Sequence, residues 1–227
     1  MLVTLPPDCG ESDCDEIVIE HVPRVAYQGE RGAFSERAIA ELFPHCEAIR
    51  LAQRSFADVR RAVLSGDADY GVLPVENSIH GPVAAAGAAL ADGGLAIVDR
   101  VTCPIRLCLL AMPSAHAEQL RRVLSHPVAL SQCRAYLASL TLLEPVPFYD
   151  TAGAAKEVAA RGDMTCAAVA SQEAAVHYGL EIVARNIEDR ADNQTRFVLV
   201  VREATDPRAA ATNALSRGSN SRDSATR

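Results

Sequence analysis

Short apolar runs and helix-length segments take turns along most of this chain, and that alternation restricts it to an α/β architecture. Arg24–Tyr27 is predicted as a strand, followed by a Gly-containing turn and a helix over 33–43. Further strands are predicted at 47–51, 70–75, 95–101, 106–112, 123–125, 146–149, 166–170, 181–184 and 196–201. Between them, helices are predicted at 56–64, 82–90, 117–121, 130–140, 152–160 and 173–177. The pattern predicts mostly parallel sheet covered by helices. So many strands over about 180 residues exceed the usual single sheet. Two α/β lobes with a cleft between them fit better.

Charge is concentrated at the ends. Residues 1–22 carry six acids and no Lys or Arg, and residues 206–227 carry four Arg and two Asp. A total of −7 therefore leaves only −3 on the body. The head reads as acidic and disordered. Residues 204–227, rich in Ser and Arg, read as a disordered tail. A body without net positive charge, only 4% aromatic and lacking Trp, does not suit a nucleic-acid platform. No apolar run approaches the ~18 residues of a membrane span. Seven cysteines form no C-x-x-C pair, which fits reduced thiols in the cytoplasm. The acidic start matches neither a signal peptide nor an Arg-rich transit peptide.

Motifs for nucleotide, zinc and serine-hydrolase chemistry are missing: no Walker A, G-x-G-x-x-G, H-E-x-x-H or G-x-S-x-G. Lys156 is the only lysine, and the six histidines are scattered. Neither a metal nor a cofactor is expected. Ser125 and His126 cannot form a hydrolytic pair on one strand, because neighbouring side chains point apart.

What recurs instead is an uncharged polar residue between a strand and a helix: Asn77-Ser78, Ser125 with Ser131-Gln132, Thr151, and Ser171-Gln172. Such residues either cap helices or help helix N-termini bind anions. Repetition favours a crevice at the strand ends. Gly29-Glu30-Arg31-Gly32 is either a loop approaching a ligand or a tight turn with positive φ.

Taken in order, six segments resemble the prephenate dehydratase family, which includes the arogenate dehydratases. They are Ala26-Tyr27-Gln28-Gly29 with Gly32-Ala33-Phe34-Ser35-Glu36, LPVENSIHG at 73–81, SHPVALSQC at 125–133, DTAGAA at 150–155, AAVASQEAAVHYGLEI at 167–182 and DNQTRFVLV at 192–200. The resemblance implies a two-lobe, type II periplasmic-binding-protein-like fold with the active site in the inter-lobe cleft. Lobe I would comprise about 23–98 plus 183–203, and lobe II about 99–182. The implied reaction is decarboxylating dehydration of prephenate to phenylpyruvate. Arogenate is the alternative substrate, and a non-catalytic small-anion-binding module is the rival class.

By the same resemblance Thr195 would be the general acid. Asn77, Ser78, Ser125, Gln132 and Thr151 would orient substrate, with Gln28 and Gly29 beside them. Arg196 would pair with a carboxylate or brace its loop. The implied partner is a small molecule, with no nucleic acid and no membrane, and a homodimer is left open. The plastid stroma is the alternative compartment for a plant-type enzyme. The family's C-terminal ACT domain, which senses phenylalanine, has no counterpart in the matched segments.

Overall fold

The computed structural model describes residues 22–203. The expected disorder of the acidic head and of the tail falls outside the described residues, apart from the head's last position. The chain begins with β1 (Arg24–Gln28), α1 (Phe34–Leu42), β2 (Ile49–Gln53), α2 (Phe56–Ser65) and β3 (Tyr70–Asn77). After the two-residue β4 (Gly81–Pro82) come α3 (Ala84–Ala91) and the long β5 (Leu95–Pro104). The chain then crosses into β6 (Cys108–Ala111), β7 (Arg122–Ser125), α4 (Pro127–Gln132), α5 (Arg134–Ser139), β8 (Glu144–Pro147), α6 (Thr151–Arg161), β9 (Cys166–Ala170), α7 (Gln172–Tyr178) and β10 (Glu181–Ala184). It crosses back to finish in β11 (Gln194–Arg202).

Two sheets result, one in the order β2-β1-β3-β11-β5 with β4 on β3, the other β10-β6-β9-β7-β8. This is the two-lobe fold that the resemblance implied. The expectation of mostly parallel pairing is corrected. Four pairings are parallel and five antiparallel. β11 runs against both β3 and β5, β6 runs against both β9 and β10, and the short β4 folds back on β3. β5 continues to Pro104 in the first sheet, and β10 ends in the second at Ala184. The sheets therefore exchange the chain at 105–107 and 185–193, later than residues 98 and 183 in each case. These crossings bond to each other: Ile105 N–H donates to Asn193 O at 2.9 Å, and Ile187 N–H donates to Leu107 O at 2.9 Å.

Strand periodicity decides which side chain enters which core. Val25 and Tyr27 point one way and Ala26 the other. The Val25 side joins Val72, Phe197 and Leu199 of the first sheet to Leu110, Leu124, Ala168 and Ala170 of the second. One apolar core thus runs through both lobes. Small residues make that approach close. β9 is Cys-Ala-Ala-Val-Ala, fully buried, and α6 presents Ala152, Ala154 and Ala155 at 0% exposure.

A turn from the first lobe plugs into the second. Gly29 and Gly32 have φ of +116° and +83°, so the Gly-x-x-Gly segment is a tight turn. The N–H of Gly32 and the phenol of Tyr27 both donate to the buried Glu36 carboxylate at 2.8 Å. Burial and that carboxylate push the Tyr27 phenol far up, which keeps it a donor. The Ser171 hydroxyl, N-capping α7, donates to Gly32 O at 2.6 Å. Lys156 and Tyr149 reach Glu30 from the second lobe at 2.9 and 3.2 Å.

The predicted helix over 130–140 is two helices. It breaks at Cys133, whose φ and ψ of −116° and 22° stop the ladder. Asp189, from the second crossing, accepts from the N–H groups of Arg134 and Ala135 at 3.1 and 3.0 Å and so starts α5 afresh. Gln132, expected near a helix start, is therefore the last residue of α4.

Candidate active site in the inter-lobe cleft

A cleft of about 800 Å³ opens between the sheets. The ends of helices surround it. Ala33–Ser35 at the start of α1, Ser55–Ala57 at the start of α2 and Asp150–Thr151 at the start of α6 all line it. Unpaired backbone N–H groups at such ends favour an anionic ligand.

Thr195 sits on the wall at the first position but one of β11 and is 8% exposed. Its cross-strand neighbour is Asn77, the last residue of β3. Asn77 Nδ2 donates to Thr195 Oγ1 at 2.9 Å, and lies 2.9 and 3.1 Å from Asn193 Oδ1 and Gln194 O. The orientation of that amide is forced. Its oxygen accepts from the N–H groups of Ile79 and His80 at 3.0 and 3.1 Å, and those groups can only donate. Asn77 thus closes the turn after β3 and fixes the threonine hydroxyl with the same side chain. Among the described residues, no acceptor engages the Thr195 proton, which is free to be given to a ligand.

Gln28, Gln132 and Thr151 line the same cleft. Gln132 is 8% exposed, and no described residue hydrogen-bonds its amide. Gly29 borders a smaller adjoining cleft with Gln28 and Arg54. Three expected residues line neither cleft. Ser125 is fully buried, with its hydroxyl donating to Val169 O at 2.6 Å. Ser78 braces the start of β11 from behind: its Oγ donates to Asp192 O and accepts from Gln194 N–H, both at 3.1 Å. Arg196 points away from Thr195, as strand alternation requires, and pairs with Glu76 across the strands.

Sequence reasoning missed Arg54, His80, His126, Tyr149 and Asp150 on the wall. Arg54 and Asp150 stand at strand-to-helix junctions, the signal used for the polar residues, but as charged residues they escaped that filter. Asp150 N-caps α6 by accepting from Gly153 N–H at 2.7 Å, and burial pushes its carboxyl up. Among the described residues no group of three or more His, Cys, Asp or Glu is placed to hold a metal ion. No described helix is long and apolar enough to cross a membrane.

The family model for prephenate dehydratase matches residues 25–205. The chain belongs to the prephenate dehydratase family. Arogenate dehydratase/prephenate dehydratase 2, chloroplastic, of Arabidopsis thaliana is 46% identical over 184 residues, covering 81% of this chain and 48% of that protein. Arogenate dehydratase 1 of Petunia hybrida is 46% identical over 186 residues, covering 82% and 43%. The chain spans about half the length of the curated relatives it matches. Among solved structures, prephenate dehydratase from Arthrobacter aurescens in complex with L-Phe superposes with a TM-score of 0.74 at 29% identity, covering 81% of this chain and 62% of that one. GqqA, described as a novel type of quorum quenching acylase, superposes with a TM-score of 0.72 at 38% identity, covering 81% and 65%.

Proposed function

We propose that this chain is a hydro-lyase that converts prephenate to phenylpyruvate, carbon dioxide and water in L-phenylalanine biosynthesis. The observation that carries the reading is the Thr195 hydroxyl, held in the cleft by an amide that donates to it and leaves its proton available. In the reaction the bond from the ring to its carboxylate breaks, and that electron pair becomes a ring double bond. The ring hydroxyl leaves with its own pair and takes a proton from Thr195, which solvent restores. Aromatisation drives the step, so the residues need only hold a dianion, exclude water and supply one proton. Positioned proton donation contributes roughly 10²–10⁴-fold. Helix N-termini and neutral amides hold carboxylates without a tight ion pair on the one that must leave. Gln28, Gln132 and Thr151 act directly in this role, with Gly29 shaping the turn beside Gln28. Ser78 and Ser125 act through the backbone they brace, and Arg196 braces its strand through Glu76.

Relatives named arogenate dehydratases support arogenate as the second substrate, giving L-phenylalanine directly. Incubating the chain separately with prephenate and arogenate, and following phenylpyruvate and phenylalanine by chromatography, tests both. Formation of neither product overturns the proposal and favours the non-catalytic anion-binding module. The acylase named for GqqA would need a base to activate a nucleophile. Thr195 meets an amide donor instead, so hydrolysis gains nothing from this geometry.

The same proposal makes the partner a small molecule and not a nucleic acid. It includes a homodimer, supported by Ile97 and Val98 standing 42% and 49% exposed on the edge strand β5; sedimentation at rising concentration tests it. The compartment is the cytoplasm, or the plastid stroma as the chloroplastic relatives suggest.

A further inference from the structure

Among the described residues, the cleft wall carries one arginine, Arg54, and one carboxylate, Asp150. The two do not neutralise each other. Asp150 is turned into its own surroundings, capping α6 through Gly153, and its Oδ2 lies 3.3 Å from where a side chain on Gly29 would begin. Arg54 follows β2 and precedes Ser55, the N-cap of α2. No hydrogen bond or salt bridge to a described residue engages its guanidinium. Several other arginines are spent on the protein itself: Arg24 on Asp69, Arg106 on Glu188, Arg190 on Asp192 and Arg196 on Glu76. Arg54 borders both the main cleft and the smaller one beside it, next to the N–H groups that begin α2.

A substrate of the proposed kind carries two carboxylates with opposite needs. One leaves as carbon dioxide, and its electron pair passes into the ring. A guanidinium clamped on that group would stabilise charge that the transition state disperses, and would raise the barrier. The other carboxylate, on the side chain, carries the same charge in substrate, transition state and product. A cation there strengthens binding at every stage without opposing the chemistry. We infer that Arg54 binds the carboxylate that the substrate retains, and so recognises the α-keto or α-amino acid end of the molecule. This rests on the dehydratase reading of the cleft. It also accounts for a role that the sequence offered to Arg196 and that its pairing with Glu76 takes away.

Two variants, Arg54→Gln and Arg54→Lys, test it in steady-state kinetics with prephenate and in calorimetric binding of phenylpyruvate, which has only the retained carboxylate. Arg54 is exposed and lies outside the helix, so both variants should melt with wild type. Arg54→Gln should raise KM by about 10–100-fold, the range for a charge-assisted bond, with kcat within about threefold of wild type. Phenylpyruvate affinity should fall by the same factor, and Arg54→Lys should recover part of both. Unchanged KM and unchanged phenylpyruvate affinity would overturn the inference. A raised KM with unchanged phenylpyruvate affinity also overturns it, because Arg54 would then hold the departing carboxylate. A wild-type chain that turns over neither substrate, yet binds phenylpyruvate through Arg54, sinks the dehydratase reading and leaves the carboxylate site standing. If wild type is inactive and binds no phenylpyruvate, both fall.

Discussion

Asn77 and Thr195 are 118 residues apart in sequence, yet stand opposite each other on β3 and β11, with the amide donating to the hydroxyl at 2.9 Å. A hydroxyl that accepts from an amide keeps its own proton to give. A hydroxyl that donates to a base would lose it. In the proposed reaction, the direction of this one bond suits Thr195 to the part of an acid and not of a nucleophile.

Thr195→Val should therefore keep the fold and lose the reaction. Valine preserves strand preference and volume. Rates of prephenate turnover should show kcat lower by roughly 10²–10⁴-fold, with thermal stability close to wild type. A kcat within about threefold of wild type would remove Thr195 from the chemistry.

Asn77→Asp separates the structural from the chemical part of that side chain. A carboxylate still accepts from the N–H groups of Ile79 and His80, so the turn survives. It cannot donate to Thr195, and the hydroxyl proton would turn towards it. The expected result is a folded protein whose kcat drops about as far as that of Thr195→Val. Asn77→Ala, which also opens the turn, should lose a further 1–3 kcal/mol or so of stability by chemical denaturation.

Gly32→Ala should disturb the contact between lobes. A methyl group there would lie 2.5 Å from the Cα and 2.8 Å from the N of Ala174, which are backbone atoms and cannot swing aside. Overpacking costs about 1–3 kcal/mol, on top of roughly 1–2 kcal/mol for left-handed φ. Gly66→Ala is the control, since Gly66 has φ +82° and nothing within 4 Å of the added carbon. Urea titrations should show Gly32→Ala losing clearly more stability than Gly66→Ala. Equal losses would mean that the turn does not plug into α7.

Asp150 predicts a pH dependence. Burial raises its carboxyl above the ordinary 3.8, against the lowering effect of the Gly153 and Glu30 N–H groups. The folded chain then holds this proton more tightly than the unfolded one. The group's contribution to stability is complete below 3.8 and is lost as pH rises through the folded value. Asn cannot ionise and still accepts from Gly153. Asp150→Asn should melt above wild type at pH near 7, with the gain vanishing as pH falls to about 4. A gain that widens on acidification would reverse the sign of the argument.

Much of this was legible in the sequence because strands covered on both faces must be apolar on both. The strand and helix positions followed from that, as did two lobes from the number of strands. The break at Cys133 was not legible, since the residue that caps α5 is Asp189, remote in the chain and near only after folding. The antiparallel share was hidden for the same reason: it depends on where the chain crosses between lobes. Asn77, Gln132, Thr151 and Thr195 come together on one wall system, whereas Ser125 is sealed behind Val169. Polarity before a helix shows that a side chain has a hydrogen-bonding task, not whether its partner is a ligand or the next strand. Arg54 shows the converse, a charge in the right junction that a search for neutral caps passes over.

The core that runs through both lobes has a consequence for how this cleft works. Two lobes joined only by crossings could swing, and the width of the gap would then answer to whatever entered it. Here Val72 and Leu110 belong to one packed interior, and the Gly32 turn is seated against Ala174. Separating the lobes would expose that interior to water. That cost favours the spacing seen here between Thr195 on one side and Gln132 on the other. A gap held by packing suits the proposed reaction, in which a proton donor aimed in advance lowers the cost of reaching the transition state. It suits a signalling receptor poorly, since that has to report occupancy by changing shape.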